Sequence, residues 1–555
     1  MIDENGDKIE NVVACRNCFN VYKYSGCTSN LVKHKCYINS EPKENGVRSY
    51  QDVEVDSETL GRLNDAAAQW LVTNCRSWTI LEDSGLKNIA RIFVAIGANF
   101  GENVNLDALM PSPTTIACNI SDLYESQRQT IAAELHKAKG SGYSITVTIW
   151  KDSYLKKPYA AVTVHYIQKS AMISRLLAVS PLNRDSRTSN QIREHIKNCL
   201  RAFESDLDVE DPIIVTDCEE AATPASDCQH HVHCIRSLLN NVMEEVFKEV
   251  NELKQMLQTC ISLLKHCEMS GKLTNTKSLP SSTQSNTILC CIKSVEDNWH
   301  LVSEILVDKS ETPILIADIK AVVHILLSFE QSVQAMAEET MPTLHIIIPH
   351  LHKLKKLCSN KPEDIAIATI LKSALRSHLD SIETVHITKY HKIALFLFPP
   401  TNKLLLFEES DKRATIEECK RMMQQFYVET DNTRKRIKLD MEYCGDGLFT
   451  DFLEPMSTDT KLDIINNEIN EYLSRKMSLH EMSNVLDWWN ANRVLFPLLY
   501  KVSCKILGTP ASIAPSQRAL LQARTLLSEQ PNGMQCAEDM INEIVFLGNN
   551  FKYDC

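Results

Sequence analysis

The sequence predicts a multi-domain fold: a small zinc-binding module, a helical segment, an α/β core and a long all-helical region. Cysteine spacing predicts the module, in "CRNCFNVYKYSGCTSNLVKHKC" at residues 15–36. Strict alternation predicts the core. In "YSITVTIWKDSY", Ile145, Val147 and Ile149 alternate with Thr146, Thr148 and Trp150, which is the period of a strand. A switch to helical periodicity near residue 232, held for about 260 residues, predicts the rest.

The chain has 555 residues, a length that suggests about three or four domains. Hydrophobic residues make up 44% and charged residues 23%, enough for sizeable cores. A net charge of −12 argues against nonspecific coating of nucleic acid, yet it leaves room for a local basic face. The first ten residues, "MIDENGDKIE", do not read as a secretory signal, and no apolar run approaches the roughly 18 residues of a membrane span. The 20 cysteines form no framework pattern and are expected as reduced thiols, in cytosol or nucleus, unless they bind metal.

In the N-terminal module, Cys15 and Cys18 form a C-x2-C knuckle, and His34 and Cys36 complete a tetrahedral zinc site. The H-x-C spacing is tighter than usual for the last two ligands, so Cys27 is an alternative to Cys36. About 40 residues bury too little apolar surface to fold alone, and a structural zinc supplies the missing stability. Lys33 and Lys35 lie on the predicted helix "TSNLVKH", with Arg16 and Lys23 on the knuckle side. Together they make a phosphate-binding face.

Next, "DAAAQWLVTNC" and "GLKNIARIFVAIGANFG" place apolar residues at i, i+3 and i+4, as helices do. "LMPSPTTIACNI" is expected as a proline-interrupted turn, followed by the helix "ESQRQTIAAELHKAK". Three strands, the helix "SNQIREHIKNCLRAFES" and the strand "DPIIVTD" then give a β-β-β-α-β order. "DCQHHVHC" at 227–234 is rich in metal-binding residues. Cys228, His231, His233 and Cys234 are a candidate second site, the alternative being a helix start packed on the core. The helical region opens with a long amphipathic stretch or a pair of helices at 233–267. No internal repeat is visible. In "TRKRIKLD", Arg434, Lys435, Arg436 and Lys438 form a basic cluster of the nuclear-import type. Trp488 and Trp489 in "DWWN" are at helical spacing with "FPLLYKVSCKIL" and are expected to pack rather than to stack on bases.

The N-terminal stretch resembles a BED-type zinc finger. The motifs "AAQWLV", "VAIGANFGENVNLDALMPSPTTI", "IWKDSYLKKPYAAVTVHY", "IIVTD", "DWWN" and "PASIAPSQRALL" extend the resemblance in order and spacing. Over nearly the whole chain it is similar to hAT-superfamily transposases of the insect Hermes and hobo group. The resemblance implies a BED finger (1–49), a helical DNA-binding and dimerisation segment (50–118) and a ribonuclease H-like core (119–231). It implies an all-helical insertion (232–497) and C-terminal helices that complete the core and support dimerisation (498–555). It implies double-stranded DNA and a second copy of the chain as partners, the nucleus as location, and no membrane.

Active members hold two divalent metals on two Asp and one Glu. The matching positions here are Thr148, Asp217 and Gln517, so only Asp217 is kept. An Arg-Trp pair that supports the flipped base falls on Gln284 and Ser285. Asp152 lies roughly 13 Å along an extended strand from Thr148, and Glu219 and Glu220 lie on the wrong element to replace the lost acids. Hard cations prefer carboxylates to neutral ligands, so no catalytic Mg²⁺ is expected. The resemblance therefore implies a transposase-derived, catalytically inactive DNA-binding protein, acting as a transcription or chromatin factor or persisting as a transposon relic. Two alternatives are an active transposase cutting terminal inverted repeats and a protein–protein scaffold.

Overall fold

The computed structural model describes residues 12–14, 21–23, 56–74, 76–101, 104–140, 142–151, 158–182, 189–203, 212–217, 230–269, 285–308, 315–427, 461–482, 484–528 and 538–551. The chain divides into two compact units, 1–107 and 108–554.

In the first unit, strands β1 (Val12–Ala14) and β2 (Val21–Lys23) pair antiparallel, with Val13 opposite Tyr22. Helices α1 (Ser57–Thr73) and α2 (Ser84–Phe100) follow where the apolar spacing places them. Each starts on an aspartate. Asp56 accepts the N–H of Thr59 and Asp83 that of Leu86, which satisfies donors that a helix start leaves open. Neither helix has a buried residue, and Leu63, Ile92, Val94 and Phe100 are exposed.

The second unit begins with α3 (Pro113–Ala138). The stretch expected as a proline-interrupted turn is instead its first turns. Ser112 accepts the N–H of Thr115 and Pro113 occupies the first helical position, where its missing N–H costs nothing. The break therefore falls before residue 113, and the helix runs without interruption through 118–119.

Strands β3 (Tyr143–Lys151), β4 (Pro158–Gln168), β5 (Ala171–Pro181), β6 (Ile213–Thr216) and β7 (His231–His233) form one mixed sheet in the order β5-β4-β3-β6-β7. The β3–β4 and β4–β5 pairs are antiparallel; β3–β6 and β6–β7 are parallel. Helix α4 (Ser189–Arg201) precedes β6. The fifth strand, β7, lies in the histidine-rich stretch. Three residues are too few to show an alternation, so pairing with β6 alone makes it a strand.

Alternation in β3 sorts two different faces, and both are buried. Tyr143, Ile145 and Val147 pack with Ile131 and Leu135 of α3 and Ile196 of α4. Ser144, Thr146 and Thr148 line the opposite face, all buried and all hydrogen-bonded. Gly142 enters β3 at φ +85°, and a Cβ there would meet Lys505 Cβ at 2.7 Å, so this turn accepts no larger residue.

From β7 onward the described residues are helical: α5 (Ile235–Glu249), α6 (Asn251–Met269), α7 (Ser285–Asp297), α8 (Trp299–Asp308), α9 (Ile316–Met336), α10 (Ile347–Leu357), α11 (Ala366–Val385), α12 (Lys389–Phe396) and α13 (Glu409–Phe426). Then come α14 (Lys461–Ser474), α15 (Val485–Ala491), α16 (Pro497–Leu507), α17 (Ala514–Ser528) and α18 (Glu538–Asn550). The long stretch at 233–267 is a pair of helices broken at Val250. One apolar core runs from Val215 and Val232 of the sheet into these helices.

Helix α18 wraps the open edge of the sheet. Its Asn542 accepts the Val179 N–H at 2.8 Å. Its Asn550 takes the Leu176 N–H at 3.1 Å and donates to the Leu176 carbonyl at 2.8 Å. Two side-chain amides thus replace a sixth strand along β5 and blunt an edge that would otherwise recruit another chain. Asn550→Ala is expected to cost about 1–3 kcal/mol, because it orphans two buried backbone groups. Asn549→Ala removes a half-buried amide that donates only to Gln522 and to its own helix at Val545, and is expected to cost under about 1 kcal/mol. Equal losses for the two in urea unfolding would refute the edge role.

A buried carboxylate joins α14 to α16. Glu468 accepts the N–H groups of Leu498 and Leu499, at 2.9 and 2.7 Å, at the start of α16. Burial lifts its carboxyl to about 7, against the pull of those two bonds. The folded-state value lies above the ordinary 4.5, so this group's contribution is full below about pH 4.5 and is lost as pH rises through 7. Glu468→Gln is therefore expected to match the parent's Tm at pH 5 and to exceed it at pH 8. A lower Tm for the variant at pH 8 would mean that the helix start favours the charge.

Candidate functional site

The parallel pairing of β3 and β6 sets Val147 opposite Thr216, so the next residues, Thr148 and Asp217, stand side by side. Thr148 Oγ1 donates to Asp217 Oδ2 at 3.4 Å. Gln517, near the start of α17, is close enough to the Asp217 side chain to favour its charged form. Three positions far apart in sequence thus meet at one carboxylate. Burial raises the Asp217 carboxyl above its ordinary value, while the Thr148 bond and the nearby Gln517 pull it down.

A hydrogen-bonded chain behind the site explains where Gln517 sits. Ser516 Oγ lies 2.7 Å from Thr146 Oγ1 and donates to Thr163 Oγ1 at 2.9 Å. Thr146 Oγ1 is 2.8 Å from His165 Nε2, and His165 Nδ1 is 2.8 Å from Ser174 Oγ. Burial pushes His165 down to about 3, so the ring is neutral and each nitrogen has a hydroxyl partner. This network fixes α17 on three strands, and Gln517 follows Ser516 by one residue. The sequence showed only isolated hydroxyl residues, because the partners are as many as 370 positions apart.

The assembled donors are one carboxylate, one hydroxyl and one carboxamide. Two hard divalent cations need bridging carboxylates, so these side chains do not fit the metal pair of an active member. Asp152, Glu219 and Glu220 lie outside the described residues.

In the histidine-rich stretch, Cys234 is buried and its Sγ accepts from Ser237 Oγ at 3.3 Å. His231 and His233 lie on β7, and Cys228 is outside the described residues. The structure adds His386 at the end of α11, in ring contact with His233. No local spacing could have linked these two. Trp489 is buried with Tyr472 and Phe496, and its Nε1 donates to the Leu397 carbonyl at 2.9 Å; Trp488 packs beside it.

The residues expected to bind zinc, contact phosphate or direct nuclear import have little described structure. Cys15, Cys18, Cys27, His34, Cys36, Arg16, Lys33 and Lys35 lie outside the described residues, and Lys23 is described only as the end of β2. Gln284, Arg434, Lys435, Arg436 and Lys438 also lie outside; Ser285 opens α7. No described helix is long and apolar enough to cross a membrane.

Residues 62–115 match the Hermes transposase DNA-binding domain, and residues 468–551 match the hAT family C-terminal dimerisation region. The second match spans most of α14 through α18, whose large side chains pack into the chain's own cores. The Hobo transposase of Drosophila melanogaster is 27% identical over 93% of this chain and 86% of its own length. The human zinc finger BED domain-containing protein 4 is 21% identical, over 76% of this chain and 39% of its own. Mouse zinc finger protein 618 is 22% identical, over 83% and 48%. Two domain matches in family order, with a transposase similar along nearly the full length, make this chain similar to transposases of the hAT superfamily.

Proposed function

We propose that this chain is a transposase-derived nuclear DNA-binding protein that no longer cuts DNA, with a BED-type finger at Cys15, Cys18, His34 and Cys36 and a ribonuclease H-like core. The observation that carries the reading is the trio at the sheet centre: of its three side chains only Asp217 is a carboxylate, where the family's chemistry needs three. The match of residues 62–115 to a DNA-binding domain supports contact with duplex DNA. The match at 468–551 supports self-association. Its role is then transcriptional or chromatin regulation, unless it survives as a transposon relic.

The test is recovery of random duplex DNA by the full protein beside a Cys15→Ser/Cys18→Ser version at near-physiological salt. A recurring motif recovered only by the intact protein is expected. Mn²⁺-dependent nicking of terminal inverted repeats above background would instead show an active transposase. No enrichment by either protein would leave a scaffold or a relic.

A further inference from the structure

Resting on the self-association proposed above, we propose that the chain pairs with a second copy of itself through an apolar loop cluster in the helical region. The cluster is built from Leu405, Leu406, Leu479, Val494 and Leu495, each between 46% and 86% exposed. They sit on three loops: one between α12 and α13, one after α14 and one between α15 and α16. The loops are tied together. Asn402 Nδ2 donates to the carbonyls of Tyr472 and Arg475, at 3.0 and 3.3 Å. The Arg475 guanidinium lies over the Phe496 ring at 5.3 Å and donates to Asn492 Oδ1 at 3.5 Å. Each of the five aliphatic residues is within four positions of one of these anchors. Single exposed aliphatics are ordinary, but five on one set of tethered loops make a patch, and such patches mark interaction sites.

The occupant follows from the matched segment and from charge. Leu479, Val494 and Leu495 belong to the stretch 468–551 that matches a dimerisation region. The other large apolar side chains of that stretch are buried or half-buried in the chain's own cores; among its described residues only Leu521 is otherwise exposed. If this stretch meets a second copy through apolar contact, the loop cluster is what it has left to offer. The rim carries both signs, with Lys476 and Arg493 beside Glu408 and Glu481, all exposed. A mixed rim can pair with its own copy across a two-fold axis, whereas the phosphates of DNA call for cations alone. At about 100 Å² of apolar surface per aliphatic side chain, the five supply roughly 300–400 Å² per copy, a little under half of one side of a standard interface. The polar rim supplies the rest.

The test is sedimentation equilibrium of the full-length protein from sub-micromolar to tens of micromolar concentration. The intact chain is expected to self-associate in this range. Leu406→Glu/Val494→Glu is expected to weaken the association at least about tenfold. Its circular dichroism should match the parent's, because both side chains already face solvent. The uncharged Leu406→Gln/Val494→Gln should weaken association in the same direction, which keeps the test valid should the charged pair misfold. Leu521→Glu, on the helix that Ser516 docks on the sheet, should leave association unchanged. Equal association by the parent and both loop variants would overturn the loop surface and leave self-association standing. Weakening by Leu521→Glu as strong as by the loop variants would also overturn it. A parent that stays monomeric would overturn both the surface and the self-association. Loop variants that associate like the parent but no longer recover duplex DNA would assign the patch to DNA instead.

Discussion

Thr148→Asp combined with Gln517→Glu is expected to make the protein's stability depend on divalent metal. In EDTA the double variant should melt below the parent, and in millimolar Mn²⁺ it should recover by a few degrees. The parent should respond to neither. Three part-buried carboxyls around one point repel each other, and Asp217 alone is already pushed upward by burial. Without a cation the group must hold protons, which weakens the fold further as pH rises. A cation that binds only the folded state at a hundredfold excess over its Kd returns about 2.7 kcal/mol. The backbone is expected to need no rearrangement, since Thr148 and Gln517 already reach Asp217. Thr148→Asp alone should show the EDTA penalty with a smaller Mn²⁺ recovery. If Mn²⁺ shifts parent and double variant equally, the trio does not have the geometry of a metal site, and the account of lost catalysis fails with it.

Trp489→Ala should be among the most damaging single changes in the helical region, costing about 3–5 kcal/mol in urea unfolding. The indole is 1% exposed, with ring centroids of Tyr472 at 5.4 Å and Trp488 at 4.9 Å. Its removal leaves a large void and takes the donor from the Leu397 carbonyl. Trp489→Phe keeps most of the volume and loses the bond, so about 1–3 kcal/mol is expected. Trp488→Ala should cost less than Trp489→Ala, because Trp488 is only half-buried. The tryptophan pair lies in the segment that matches a dimerisation region, yet Trp489 packs inside its own chain. A Trp489→Ala protein that kept its stability and lost only self-association would contradict that packing role.

Local spacing was enough to identify most elements. Alternation in β3 and 3.6-residue periodicity in α9 and α11 are set by which side chains face a core, and neighbours in sequence carry that information. The motifs also pointed to the superfamily and to Thr148 and Gln517 as positions where that resemblance expects acids. Short elements escaped: β7 has three residues and exists through its pairing with β6, and the start of α3 depended on the Ser112 cap. The sequence by itself therefore determined the helices and long strands, the resemblance to the superfamily and which residues stand where that resemblance expects acids. Tertiary structure alone decided that Thr148 and Gln517 converge on Asp217, that Ser516 anchors α17 through Thr146, and that His386 meets His233. The reason is physical: these contacts join residues 69 to 370 positions apart, and strand register and helix docking, not spacing along the chain, bring them together.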